Sequence, residues 1–309
     1  MARSVFDAPH FQNETAAFEY VEAHLWPNGP VCPHCGNVDQ SRIGRLQGKT
    51  TRPGLRKCYA CRKPFTVRQG SIFEDSHLAL HLWLQVIHLM SASKKGISTR
   101  QIQRMLSCSM KTAWFLTHRI RAAMAPVAKG RPPMGGLGSI VEADETFFGA
   151  KAGRKLHRAP VEKQVVFALV ERGGEARAFH LSRLNATQVR SKLGENVKGR
   201  STLMSDESGL YTHVGWNFAR HDVVNHSAQE YVRGDAYTNS VEGFFGIMKR
   251  GIYGTYQAVS PWHLQRYVDE FAFRYTHREK VGVDDTERAS RALRGAKGKR
   301  MTYQTVVWA

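Results

Sequence analysis

Two C-x-x-C pairs, Cys32-Pro-His-Cys35 and Cys58-Tyr-Ala-Cys61, restrict this chain more than any other feature. Four thiols this close in sequence form either a disulfide framework or a metal site. Two paired knuckles favour the metal, because each C-x-x-C presents two sulfurs and two of them complete the tetrahedron that zinc takes. The intervening segment is rich in Arg and Lys, and Pro64-Phe-Thr-Val67 follows it. These read as the short strands of a zinc ribbon, with Cys32, Cys35, Cys58 and Cys61 as ligands. The alternative is four unligated thiols. His34 reads as a surface residue and not a fifth ligand, and Cys108 as a small packed residue in a turn. Structural Zn²⁺ contributes on the order of 10 kcal/mol to folding in modules of this kind.

Charge narrows the partner. The 309 residues hold 45 Lys+Arg against 26 Asp+Glu, a net charge of +19. Such a surface attracts polyanions, and nucleic acid is the usual one. A basic membrane-surface protein is the alternative. There is no apolar run of about 18 residues to span a bilayer. The first residues, Met-Ala-Arg-Ser-Val-Phe-Asp, lack a signal-peptide apolar region. The expectation is a cytoplasmic protein that binds DNA and not a membrane.

Residues 11–26 read as a short amphipathic helix, stopped by Pro27 and Gly29. Residues 77–125 read as helical. His77–Met90 is apolar on most sides and so should be buried. Ser98 offers an N-cap to a short helix ending near Leu106. Ser107-Cys-Ser109 makes a turn into a longer helix, Lys111–Met124. Short helix, tight turn and basic second helix fit a helix-turn-helix, with Lys111, Arg119 and Arg121 as DNA contacts. A plain helical bundle is the alternative. Pro126 to Gly138 forms a linker rich in Pro and Gly. The expected division is therefore 1–70 for the first helix and ribbon, 71–130 for the helical segment and 139–280 for a further domain. Residues 281–309 form a basic tail, either a phosphate-binding arm or simply a soluble end.

From Ser139 the pattern turns to strands. Ile140 to Asp144 reads as the first, and Lys151, Arg154, Lys155 and Arg158 lie in a basic, DNA-facing loop. Val165–Val170 and Ala178–Leu181 form a hairpin around a Gly-Gly turn. A helix over Thr187–Val197 follows, then a strand from Thr202 into Asp206, then Val223-Val224. The stretch Asn239-Ser-Val-Glu-Gly-Phe-Phe-Gly-Ile-Met-Lys-Arg250 reads as a helix. At roughly 100° per residue, Asn239, Glu242, Gly246 and Lys249 share one side and Val241, Phe244 and Met248 the other. Asn239-x-x-Glu242 is also a capping-box pattern, the plain structural alternative. Gly246 leaves a gap where something large can approach the backbone. A last helix covers His263–Arg278.

Three strands, a helix, two strands and a helix suit an α/β, RNase H-like core, a mixed sheet flanked by helices. In that order Asp144 and Asp206 fall at strand ends and Glu242 on the helix, so three carboxylates can meet. Acids inside so basic a chain suit phosphodiester cleavage, in which two Mg²⁺ ions roughly 4 Å apart activate the nucleophile and neutralise the leaving oxygen. Taken singly, Asp144 also reads as a strand-end acid and Asp206 as a helix cap.

Several strings resemble the ISXO-type DDE insertion-sequence transposases with an N-terminal zinc ribbon. They include Val141-Glu-Ala-Asp-Glu-Thr-Phe-Phe-Gly149, Met204-Ser-Asp-Glu-Ser208, Thr238-Asn-Ser-Val-Glu-Gly-Phe-Phe245 and Asp269-Glu-Phe-Ala-Phe-Arg274. The resemblance runs from about Phe11 through Arg278. It implies a bacterial transposase that cuts at terminal inverted repeats and joins the freed 3′ ends to target DNA, working as a homo-oligomer. It makes Asp144 and Asp206 the first two acids. The third is Glu242 or Asn239; Glu242 is preferred, since a charged oxygen holds Mg²⁺ (or Mn²⁺) better than an amide. Lys249 would hold a phosphate as a point charge, with Arg250 beside it; otherwise Lys249 is a surface lysine. Tyr237 departs from the resemblance, standing where many relatives have His. The alternatives are a catalytically silent DNA-binding regulator derived from a transposase, or a nuclease on the same core.

Overall fold

The computed structural model describes residues 4–127, 130–149, 163–224 and 237–301. The chain forms two compact units: one ends at Ala125 and resumes at Asp284, the other spans Pro126–Val283.

In the first unit, two helices stand where one was expected, α1 (Pro9–Gln12) and α2 (Glu14–Leu25). Asn13 divides them, because its side-chain oxygen accepts the N–H groups of Thr15 and Ala16 and caps α2. The ribbon follows as an antiparallel sheet of β1 (Ile43–Arg45), β2 (Arg56–Cys58) and β3 (Pro64–Phe65). Next comes α3 (Leu80–Ala92), which buries Leu80, Trp83, Leu84, Val86, Ile87 and Met90. Its N-cap residue Ala79 makes no capping bond. The Glu14 carboxylate does this instead, accepting Leu80 N–H at 2.7 and 2.9 Å and His81 N–H at 3.2 Å. Helices α4 (Thr99–Leu106) and α5 (Met110–Met124) are capped by Ser98 and Ser109. Between them Ser107 takes the left-handed conformation, φ 47°.

The second unit is built on β4 (Ile140–Phe148), β5 (Gln164–Glu171), β6 (Ala176–Leu181), α6 (Ala186–Asn196), β7 (Thr202–Asp206) and β8 (Arg220–Val224). The chain continues into α7 (Asn239–Gly251), a π-helical segment Ile252–Tyr256, and α8 (Pro261–Thr276). The sheet order is β6-β5-β4-β7-β8. β4, β5 and β6 are antiparallel neighbours, whereas β7 and β8 run parallel to β4. This mixed five-stranded order, with helices on both faces, is the RNase H-like fold.

Strand alternation sorts the side chains. Val141, Ala143, Phe167 and Leu169 pack with Val189 and Leu193 of α6 and with Tyr211. Phe148, Val166, Ala168 and Val170 pack with Val241, Phe244 and Met248 of α7 and with Leu264, Val268 and Phe271 of α8. Two-residue periodicity therefore puts Glu142 and Asp144 on the face that α7 covers.

The expected basic tail is in part a packed helix, α9 (Asp285–Arg294), within the first unit. Its arginines are held by its own acids. Arg291 and Arg294 donate to Glu287 at 2.8 and 2.7 Å, and buried Arg288 pairs with Asp285 and donates to Ser91 O. Ala292 and Leu293 are buried, which anchors the helix and removes these cations from a free arm. No described helix is long and apolar enough to cross a membrane.

Candidate active site

The ribbon brings its four cysteines together. The Sγ atoms of Cys32 and Cys61 are 3.6 Å apart and those of Cys35 and Cys58 3.8 Å, with all four within 4.8 Å of one another. A tetrahedron with Zn–S of about 2.3 Å has sulfurs roughly 3.8 Å apart. The thiols are also unequal. The Cys61 N–H leads in drawing Cys58 down to about 6. Cys35 is drawn down by the Asn37 N–H, but burial and the other three sulfurs outweigh that and push it up to about 12. Four sulfurs gathered at this spacing suit a dication, so the cluster fits structural zinc. His34 turns to the Pro64 carbonyl, at 3.3 Å.

The acidic site lies on the central strand of the other unit. Parallel register pairs Glu142 with Met204, and continuing it sets Asp144 on β4 beside Asp206 at the end of β7. Glu145 N–H donates to Asp144 at 2.7 Å, and Ser208 N–H to Asp206 at 3.1 Å. Glu242 lies in the first turn of α7, exposed, and accepts the Thr238 hydroxyl at 2.9 Å. Burial pushes Asp144 up to about 7, and after it the charges of Glu145, Asp206 and Glu242 raise it further against the pull of the Glu145 N–H. Acids from β4, β7 and α7 thus share one electrostatic field. Among the described residues, only the four cysteines form a cluster tight enough to enclose a single ion.

The capping-box alternative does not form. Thr238 is the N-cap, it makes no capping bond, and Asn239 is already helical and exposed. Val241, Phe244 and Met248 are buried, and Lys249 and Arg250 are exposed. A Cβ added at Gly246 would meet only the Arg250 guanidinium, at 3.6 Å, so the gap in the stripe is open.

Two glutamates escaped the sequence reading as site residues. Glu145 accepts the hydroxyl of buried Tyr211 at 2.8 Å, and burial raises its pKa, with Asp206 adding to the effect and the Tyr211 bond opposing it. Its adjacency to Asp144 was the only signal, and strand alternation points it to the opposite face. Glu142, fully buried, caps α7 by accepting Ser240 and Val241 N–H at 2.7 and 2.9 Å. Nothing in the sequence distinguishes it from an ordinary strand acid.

The proposed DNA contacts divide. Lys111 is exposed in the first turn of α5. Arg119 and Arg121 are corrected: both are buried. Arg119 donates to the carbonyls of Ile72, Glu74 and Met301 at 2.8, 2.6 and 3.0 Å and lies over the Phe115 ring. Its charge serves packing, because the second half of α5 is enclosed by its own unit. Lys151, Arg154, Lys155 and Arg158 lie outside the described residues.

An RNase H-like sheet thus carries acids on two adjacent strands, with a further acid on the covering helix. Residues 136–276 match the ISXO2-like transposase domain, and residues 12–64 match the transposase zinc-ribbon domain. Both matches are to domains of transposases. A relative in Halobacterium salinarum, described as an uncharacterized protein in transposable element ISH50, is 27% identical over 295 residues, covering 89% of this chain and 95% of its own. Two Mos1 transposase structures, a paired-end complex with the left transposon end and a strand transfer complex, overlap 63% of this chain and 69% of theirs. Their identity is 12%, with TM-scores of 0.29 and 0.28. The strand order, and not these partial overlaps, carries the fold assignment.

Proposed function

We propose that this protein is an active insertion-sequence transposase that cleaves DNA at terminal inverted repeats and joins the freed 3′ ends to target DNA. The observation that supports this best is the raised Asp144 carboxyl, held among Glu145, Asp206 and Glu242. A half-buried carboxyl beside other acids is costly to ionise; a divalent cation removes the cost. Asp144, Asp206 and Glu242 would hold Mg²⁺ or Mn²⁺, with the Asn239 amide one helical turn from Glu242. Bound there, the ions would supply Lewis-acid activation of the attacking oxygen and charge neutralisation of the leaving one. Lys249 and Arg250, on the same helix, would hold phosphates. Lys111 with α4 and α5 would form the helix-turn-helix contact, and the ribbon would meet DNA or a partner subunit. Pairing two element ends calls for a dimer or larger homo-oligomer on DNA, and such work belongs in the cytoplasm.

The test is a strand-transfer assay with the DNA flanking the gene and Mg²⁺ or Mn²⁺. Wild type should cut and join; Asp144→Asn should lose at least about a thousandfold in rate yet shift DNA as before. Full activity in that variant would falsify the assignment. DNA binding without nicking under any divalent ion would identify a silent regulator, and hydrolysis without joining a nuclease. DNA affinity should fall steeply with salt, as bound phosphates release counterions.

A further inference from the structure

We infer that Glu142, Arg172 and the backbone of Tyr237 form a clamp that sets the position of Glu242 relative to Asp144, which makes Glu142 a positioning residue for the acidic site. The inference rests on the metal-dependent reading above. Glu142 sits on the central strand, two residues from Asp144 and on the same face, and its side chain is 0% exposed. Its carboxylate is held by donors on both oxygens. Oε1 accepts Arg172 Nε–H at 2.7 Å, and Oε2 accepts the N–H groups of Ser240 and Val241 at 2.7 and 2.9 Å. Arg172 in turn donates to the Tyr237 carbonyl at 2.7 Å, and its guanidinium carbon lies 3.5 Å from the centre of the Tyr237 ring.

The geometry does more than satisfy a helix end. Helix α7 has no side-chain cap of its own. Its first N–H groups are joined to the strand that bears Asp144, and the residue before its N-cap is joined to Arg172, just beyond β5. The start of α7 is thus fixed from two sides to the sheet, one residue from Glu242. Metal ligands carried on separate elements need such outer contacts to hold their spacing, and losing one commonly costs about 10–100-fold in metal affinity. A plain stabilising cap would not do this. Glu14 at α3 supplies the control, since it is also a glutamate capping a remote helix but lies in the other unit.

Glu142→Gln in the full chain tests the clamp. An amide has one acceptor oxygen, so its NH₂ must face either Arg172 or the α7 N–H groups. The measurements are Mn²⁺ binding followed by electron paramagnetic resonance, the Mn²⁺ concentration for half-maximal cleavage, and thermal melting. We expect E142Q to weaken Mn²⁺ binding at the acidic site by about tenfold, with cleavage largely restored at saturating Mn²⁺. E14Q should lower the melting temperature and leave Mn²⁺ binding as in wild type. If E142Q does not fold, Arg172→Lys replaces it; its single ammonium cannot reach both Glu142 and the Tyr237 carbonyl, so the same shift in smaller measure is expected. Mn²⁺ binding unchanged in the folded variant would overturn the inference. Wild type that binds Mn²⁺ but never cleaves would count against the proposed activity instead, while binding by E142Q would still decide on the clamp.

Discussion

Helices α3 and α7 begin alike and are used differently. Neither Ala79 nor Thr238 closes its helix with a side-chain bond. Each helix borrows a glutamate from another element, Glu14 from α2 and Glu142 from β4, and each glutamate is paired with an arginine, Arg68 or Arg172. Yet the Glu14 side chain is 29% exposed and also holds the His81 ring, whereas that of Glu142 is 0% exposed. What α3 carries is apolar core; what α7 carries is Glu242 on one side and core on the other. A borrowed cap fixes a helix to a chosen neighbour, where a local cap would fix only its end. Its use therefore depends on what that neighbour and that helix bear.

The largest effect should come from removing the two glutamates. Glu142→Ala leaves Arg172 and two N–H groups without their acceptor in a dry site, and should cost about 3–5 kcal/mol in denaturant unfolding. Glu14→Ala lets water reach Arg68 and the end of α3, so about 1–3 kcal/mol is expected. Equal losses would mean that burial does not separate the two caps.

Acid sharpens the contrast because the signs differ. Burial opposes ionisation of Glu14, but the Leu80 N–H, the His81 ring and N–H, and Arg68 outweigh it, leaving its pKa below the ordinary 4.5. Its contribution is complete above that value and disappears as pH falls through the lower folded one. Melting temperatures of wild type and E14Q should therefore converge in acid. Asp144 goes the other way, from an ordinary 3.8 to about 7. Without metal, the folded state binds that proton more tightly, so stability is lost as pH rises toward and past 7. Wild type should fall below D144N most above that pH, and the gap should close as pH approaches 3.8. A gap independent of pH would remove Asp144 from the shared field.

These regions also show what sequence can and cannot reveal. The cysteine spacing and the strand order were legible, since each follows from local chemistry and periodicity. So was the buried side of α7, from Val241, Phe244 and Met248. Arg119 and Arg121 were misread, because a guanidinium on a basic helix looks solvent-facing until its surroundings are placed; the Ile72 and Met301 carbonyls that receive Arg119 lie far away in sequence. Helix α9 was hidden for a related reason: its net positive charge masks acids spaced to pair with its arginines. Glu142 could not be singled out, because its partners come from β5's end and α7. Asn13 was a local signal overlooked, a cap inside an apparently continuous helix.

The smallest effect concerns the open side of α7, which α3 lacks. A Cβ at Gly243 would meet nothing within 4 Å, and one at Gly246 only the Arg250 guanidinium, at 3.6 Å. Glycine inside a helix costs up to about 1 kcal/mol relative to alanine. Gly246→Ala should thus raise the melting temperature slightly, and Gly243→Ala likewise. If DNA passes close to the backbone along the Asn239–Lys249 stripe, the Gly246 methyl group should slow cleavage and strand transfer several-fold despite the gain in stability, whereas the Gly243 methyl, lying off that stripe, should do less. Stability gained by both variants with cleavage unchanged would instead mean that the duplex keeps its distance from α7, leaving Lys249 and Arg250 to reach it through their long side chains.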